Sequence, residues 1–173
     1  MTDASPAKIK TTAGLRPFLP SDTPLLAEIF RASISELTAE DYSEAQQAAW
    51  MASAGDEEEF GERLAQELTL IATIDGEAVG FAALKGNDSI DMLYVHPAAA
   101  GQGIGAQLLD ALERLAAARG ATKLSADASD TALGFFERRG YVPQRRNSVP
   151  REDEWLANTT VQKTLPAPQR SAP

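Results

Sequence analysis

Three glycines in the run Gly101-Gln102-Gly103-Ile104-Gly105-Ala106 are the sharpest chemical signal in this 173-residue chain. They stand between an apolar stretch ending at Val95 and a strongly amphipathic one beginning at Ile104. Glycine lets backbone approach a ligand closely, and the free amides of a helix's first turn, reinforced by the helix dipole, favour an anion. A phosphate or pyrophosphate is the natural guest of such a loop. The same letters also fit the dinucleotide pattern G-x-G-x-x-A, with Asp127 at the end of the next strand. In that motif the glycines follow the strand almost at once, whereas here His96-Pro97-Ala98-Ala99-Ala100 intervenes. Too little chain remains after residue 101 for a doubly wound sheet, which disfavours a nicotinamide-dependent oxidoreductase.

Other chemistries are narrowed by what the chain lacks. With no cysteine there is no disulfide, thiolate metal site or cysteine nucleophile. One histidine, His96, cannot build a multi-histidine metal site, so no metal is expected. The 25 acidic against 16 basic side chains, net charge -9, disfavour nucleic acid and anionic membranes as partners. No apolar run approaches the roughly 20 residues of a membrane span, and MTDASPAKIKTT lacks a signal-peptide core, so the cytoplasm is the expected compartment.

The elements that must position the glycine loop follow from periodicity. Gly14 to Phe18 reads as a strand, and Ser21-Asp22 as the cap of a helix with Leu25, Leu26, Ile29, Phe30 and Ser33 on one face. Glu40 to Leu64 predicts two short helices, one capped by Ser43, broken at Gly55-Asp56. Strands over 67–73, 78–85 and 90–95, with Asp75-Gly76 as a hairpin turn, form an antiparallel meander. The helix from Ile104 carries Leu108, Leu112, Leu115 and Ala116 on one stripe and ends at Gly120. A strand at 123–126, a short helix at 131–139 and closing strands at 141–146 and 155–164 complete the chain. Residues 1–12 and 166–173 read as solvated tails around a single domain at 13–165.

Taken together, these segments resemble the GNAT superfamily of N-acetyltransferases. The resemblance runs from Leu15-Arg16-Pro17 and Asp22 through Leu93-Tyr94-Val95-His96-Pro97 and the glycine loop to Phe135-Phe136-Glu137-Arg138-Arg139-Gly140-Tyr141. It implies an α/β (α+β) fold: a mixed, mostly antiparallel central sheet of about six to seven strands flanked by helices, splayed between strands four and five. It also implies acetyl-CoA as cosubstrate, with pantetheine lying like an extra strand beside Leu93, Tyr94 and Val95. The pyrophosphate would sit on Gly101, Gln102, Gly103, Ile104, Gly105 and Ala106, with Ser129 and Phe136 near the cofactor. Ala100 departs from the Gln or Arg usual in the family, and Phe136 from the tyrosine that often protonates the departing thiolate.

Acetyl transfer to an amine needs a proton acceptor, because an amine of pKa about 10.4 is mostly protonated at neutral pH. Asp91, which strand alternation puts on the side of Leu93, is the first candidate base; its alternative is a solvated strand carboxylate. Asp127 is the second, with capping of the next helix beside Ser129 or Asp130 as its alternative. An oxyanion would be met by a backbone amide near Leu93 to Val95, where the family has a strand irregularity. Tyr94, alternating with Ile90 and Met92, and Tyr141 read as core, and His96 as a turn residue. Tyr42 and Trp50, on the interrupted helices, are candidates to line the acceptor site or to serve as core.

The expected function is transfer of acetyl from acetyl-CoA to a primary amine of a small molecule or peptide by direct attack. Its alternative is a non-catalytic CoA-binding sensor or carrier. A homodimer paired through the closing strand at 155–164 is a further expectation.

Overall fold

The computed structural model describes residues 11–167, so the expected tails lie almost wholly outside the described residues. Strand β1 (Gly14–Pro17) leads to helix α1 (Thr23–Leu37), followed by α2 (Glu44–Met51) and α3 (Glu57–Gln66). A meander of β2 (Leu68–Ile74), β3 (Glu77–Lys85) and β4 (Ser89–Val95) precedes α4 (Ile104–Ala118). Then come β5 (Lys123–Ser129), α5 (Leu133–Arg138), β6 (Val142–Arg151) and β7 (Glu154–Thr164). The strands form one seven-stranded sheet in the order β1-β2-β3-β4-β5-β7-β6. Every pairing is antiparallel except β4 with β5.

Local chemistry explains most boundaries. Ser43 accepts from the Gln46 amide while the Gln46 side chain accepts from the Ser43 amide, a reciprocal cap that starts α2. Asp56 accepts from the Glu59 amide and starts α3. Asp75 and Gly76, at φ 52° and 81°, make the two-residue turn that fits the twist of β2 and β3. Asp22 departs from its expected role. Its carboxylate makes no cap on α1 and instead takes a forked pair of hydrogen bonds from Arg16, each 2.8 Å, and one from the Leu19 amide. That guanidinium holds the Asp22 carboxyl below the usual range despite its burial.

Two apolar layers sandwich the sheet. On one face Ile104, Leu108 and Leu112 of α4 pack with Phe136 of α5 against Ala82, Leu84, Ile90, Leu124 and Ala126. On the other, Leu26, Phe30 and Ile34 of α1 pack with Phe60 and Leu64 of α3 against Ile71, Phe81, Ala83 and Met92. Gly80 permits the close seat of α4, since a Cβ there would lie 3.1 Å from the Tyr94 carbonyl oxygen and 3.3 Å from Ile104. Leu25 and Leu115, expected on the inner stripes, are 51% and 37% exposed. Ile34 and Leu109 fill the core instead, because each helix is rotated slightly from the phase its leucines suggest.

The last hairpin is longer than periodicity predicts, and β6 runs through Pro143 and Pro150 to Arg151. Those prolines are tolerated because β6 is the edge of the sheet, where one side of the ladder needs no donors. The same order corrects the expected dimer edge: β7 is flanked by β5 and β6, so in this hairpin the strand with a free side is β6. Among the described residues no helix is long and apolar enough to cross a membrane.

Candidate active site

The site begins with a register shift. Leu84 faces Ile90 and Ala83 faces Met92, so Asp91 is an extra residue with no partner on β3. The bulge bends β4 away from β5, and these two parallel strands share only Ser89 with Ser125 and Ile90 with Ala126. Beyond those pairs the β4 edge through Val95 and the β5 edge through Ser129 have no ladder partner on each other, which opens the sheet. The irregularity expected near Leu93 to Val95 therefore lies two residues earlier.

The bulge also changes which residues share a face. Ile90 packs with the α4 layer, as do Leu93 and Val95, whereas Met92 and Tyr94 belong to the α1 and α3 layer. Asp91 lies on the side of Met92, not of Leu93 as strict alternation predicts. There Arg63 of α3 grips both its oxygens, Nε to Oδ2 at 2.9 Å and Nη2 to Oδ1 at 2.8 Å. Glu67 joins this pair, and burial followed by contact with Asp91 pushes its carboxyl up to about 8. One Glu67 oxygen is buried with no hydrogen-bond partner. Sequence reasoning missed Arg63 and Glu67, although their i, i+4 spacing at the end of α3 was the available signal.

A cleft of about 660 Å³ occupies the splay and runs between β4, β5, α5 and the glycine loop. Leu93, Tyr94, Val95, Ala128, Ser129 and Phe136 line its length. Gly101, Gly103, Ile104, Gly105 and Ala106 form its other end. Gly101 and Gly103 stand at φ 77° and 84° with no atom near a built Cβ, so backbone conformation and not space demands glycine there. Gly103 caps α4 without any side-chain bond, and the first helical hydrogen bond runs from Gln107 to its carbonyl. The amides of Ile104, Gly105 and Ala106 are thus the unsatisfied donors of a 15-residue helix that opens on this cleft. Gln102 is not among the lining residues: its side chain accepts from the Thr11 hydroxyl at 2.9 Å. Ala100 lines the cleft beside Gly101.

A second cleft, about 390 Å³, shares Trp50, Asp91, Tyr94, Asp127 and Ser129 with the first. It lies between α1, α2 and the β6–β7 hairpin and includes Tyr42, Arg63, Arg151, Leu156 and Asn158. Tyr42, in the turn before α2, is tied down: its hydroxyl donates to the Ala157 carbonyl at 2.6 Å and accepts from the Asp130 amide at 2.9 Å. Its ring meets Trp50 edge-on at 5.4 Å. The Trp50 indole donates to the Tyr94 hydroxyl at 3.2 Å. Tyr94, ringed by Phe30, Phe81 and Trp50, is pushed up to about 12 by desolvation and keeps its own proton. Tyr94 packs on the α1 and α3 core layer, as expected of a core residue, and also lines both clefts.

Asp127 does not cap α5. No side chain caps that helix: Ser129 accepts from the Ala132 amide in the turn before it, while Asp130 pairs with Arg146. The Asp127 carboxylate is exposed and accepts from the Thr160 hydroxyl at 2.6 Å. His96 behaves as a turn residue, its Nδ1 accepting from the Ala98 amide. Tyr141 is buried beneath Lys163 and donates to Glu113. Among the described residues no group of acidic or histidine side chains is arranged to hold a metal ion.

Comparison with known proteins agrees with this geometry. Residues 38–165 match the family model described as an acetyltransferase (GNAT) domain. The uncharacterised N-acetyltransferase YafP of Escherichia coli K12 is 31% identical over 144 residues, 83% of this chain and 91% of that protein. A crystal structure from Rhodopseudomonas palustris, described as a GCN5-related N-acetyltransferase, aminotransferase class II, is 57% identical with a TM-score of 0.89. It covers 91% of this chain and 98% of its own. The PaiA N-acetyltransferase of Thermoplasma acidophilum, solved with coenzyme A, shares the fold at 19% identity and a TM-score of 0.74, covering 89% and 99% of the two chains.

Proposed function

The chain belongs to the GNAT acetyltransferase family, and from that premise we propose that it moves an acetyl group from acetyl-CoA to a primary amine by direct attack. The observation that carries this reading is the meeting of two clefts at Asp91, Tyr94, Asp127 and Ser129. One cleft ends in anion-seeking amides and suits acetyl-CoA; the other is polar and aromatic and suits the amine.

In this reading the pyrophosphate rests on the amides of Ile104 to Ala106, and the pantetheine runs along the unpaired edge of β4 beyond Ile90. The acceptor's ammonium first gives up a proton. Asp127, engaged only by a hydroxyl, is the more open acceptor, while Asp91 has both oxygens held by Arg63. The amine nitrogen then attacks the thioester carbon, the carbon–sulfur bond breaks, and the nitrogen's remaining extra proton passes to the departing thiolate as the amide forms, giving free thiol. Phe136 has no proton to give the sulfur. Tyr94 does, since Trp50 occupies its acceptor side and leaves its O–H free. A thiol of pKa about 8.5 leaves readily enough that one such hydrogen bond suffices.

Calorimetric titration with acetyl-CoA, with NAD as control, followed by thiol release across an amine panel, tests the proposal. One-site binding of acetyl-CoA alone, with thiol release that Asp127→Asn slows more than it weakens binding, is the expected result. Saturable binding without release for any amine would favour the carrier reading, which the loss of a tyrosine at Phe136 motivates.

A further inference from the structure

The charges that line the second cleft are two of each sign, Arg63, Asp91, Asp127 and Arg151. A protein of net charge -9 has thus built a balanced acceptor cleft, not a negative one. Arg63 and Asp91 cancel each other at 2.7 Å. Asp127 takes a hydroxyl from Thr160, and among the described residues no Lys or Arg stands within ion-pair distance of it. Arg151, at the end of β6 in the same cleft, is similarly uncommitted among the described residues: Glu154 is its cross-strand partner but makes no ion pair with it.

We infer that the acceptor is a small molecule carrying both an ammonium and an anionic group, its ammonium toward Asp127 and its anion toward Arg151. This rests on the transferase reading and narrows it. A diamine or polyamine would bring its second cation against Arg151, a like-charge contact that costs binding. A plain alkylamine would satisfy Asp127 and leave Arg151 unused. A carboxylate or phosphonate instead meets the planar fork of a guanidinium, which binds such groups with two parallel hydrogen bonds. Trp50, Tyr94 and Leu156 add apolar lining to the same cleft.

The test uses the full chain at saturating acetyl-CoA and reads thiol release with 6-aminohexanoate, hexylamine and 1,6-diaminohexane, together with the common α-amino acids. An amino acid of either type is expected to exceed hexylamine and the diamine by about tenfold or more in kcat/KM, the factor a charge-assisted hydrogen bond commonly supplies. In Arg151→Met, an exposed substitution, that gap is expected to close through a higher KM for the amino acid. The diamine or hexylamine emerging as the best acceptor would overturn the inference. So would an Arg151→Met enzyme with an unchanged preference, or acetyl-CoA binding with no release from any of these acceptors. Failure to bind acetyl-CoA at all would remove the transferase reading beneath it.

Discussion

Glu67 shows how one carboxyl behind the site makes the protein sensitive to pH. Burial and the neighbouring Asp91 raise it, while Arg63 and Lys85 act in the opposite sense with smaller effect, and the balance is about 8. An unfolded glutamate titrates near 4.3, so between roughly pH 4.3 and 8 the folded chain holds a proton that the unfolded chain has released. The sign follows directly. This contribution is complete below the unfolded pKa and is lost as pH rises through the folded one, so it lowers stability toward alkaline pH. Glu67→Gln, which keeps the shape and a hydrogen-bond donor toward Asp91, is expected to flatten the slope of melting temperature against pH between 5 and 8. It should leave the variant more stable than the parent at pH 8. Equal slopes in the two proteins would show that Glu67 ionises normally.

At the scale of elements, the glycine loop and α4 make the clearest separable prediction. Gly105 has an ordinary helical backbone, and the nearest atoms to a Cβ there would be those of Phe135 and Val95 at 3.6 to 3.8 Å, both residues that line the cleft. Gly105→Ala should therefore fold at least as well, gaining up to about 1 kcal/mol of helix propensity, while its methyl intrudes where a ligand approaches the amides. Weaker acetyl-CoA binding in a protein of undiminished melting temperature is the expected pair of readings. Unchanged affinity would mean that the ligand does not approach this turn. This loop was legible in the sequence because its cause is local: glycine at positive φ, then an amphipathic run. The same holds for the Ser43 cap and the Asp75-Gly76 turn. Asp91 was misplaced because its face depends on how β3 registers against β4, and no property of the segment Ser89 to Val95 alone reveals an unpaired residue within it. Tyr94 was read as core and does pack on the α1 and α3 layer; what alternation did not show is that the bulge puts it on the opposite face from Ile90. The Arg63–Asp91–Glu67 cluster joins α3 to β4 across 28 residues of sequence, a contact that only the packed helix creates.

For the whole molecule, the sheet is two pieces that barely touch. β1 through β4 form one, β5, β7 and β6 the other, and two residue pairs join their strands. Further ties come from α4 above, from Tyr42 and Gln46 to β7 below, and from the Ser125 amide to the Asp88 carbonyl. A ligand seated in the splay would bond to edges that the fold leaves unpaired and would couple the two pieces. Ligand that binds only the folded chain at a hundred times its dissociation constant stabilises by about 2.7 kcal/mol. For a chain of this size that corresponds to roughly 5 to 10 °C in melting temperature. Acetyl-CoA is expected to give such a shift and NAD none. Hydrogen exchange should slow at Leu93 to Val95 and at Ala128, the open edges, more than at β1 or β2, which lie far from the splay. A shift of that size with protection elsewhere would mean that acetyl-CoA binds without bridging the sheet. The splay would then be a consequence of the Asp91 bulge with no part in holding the cosubstrate.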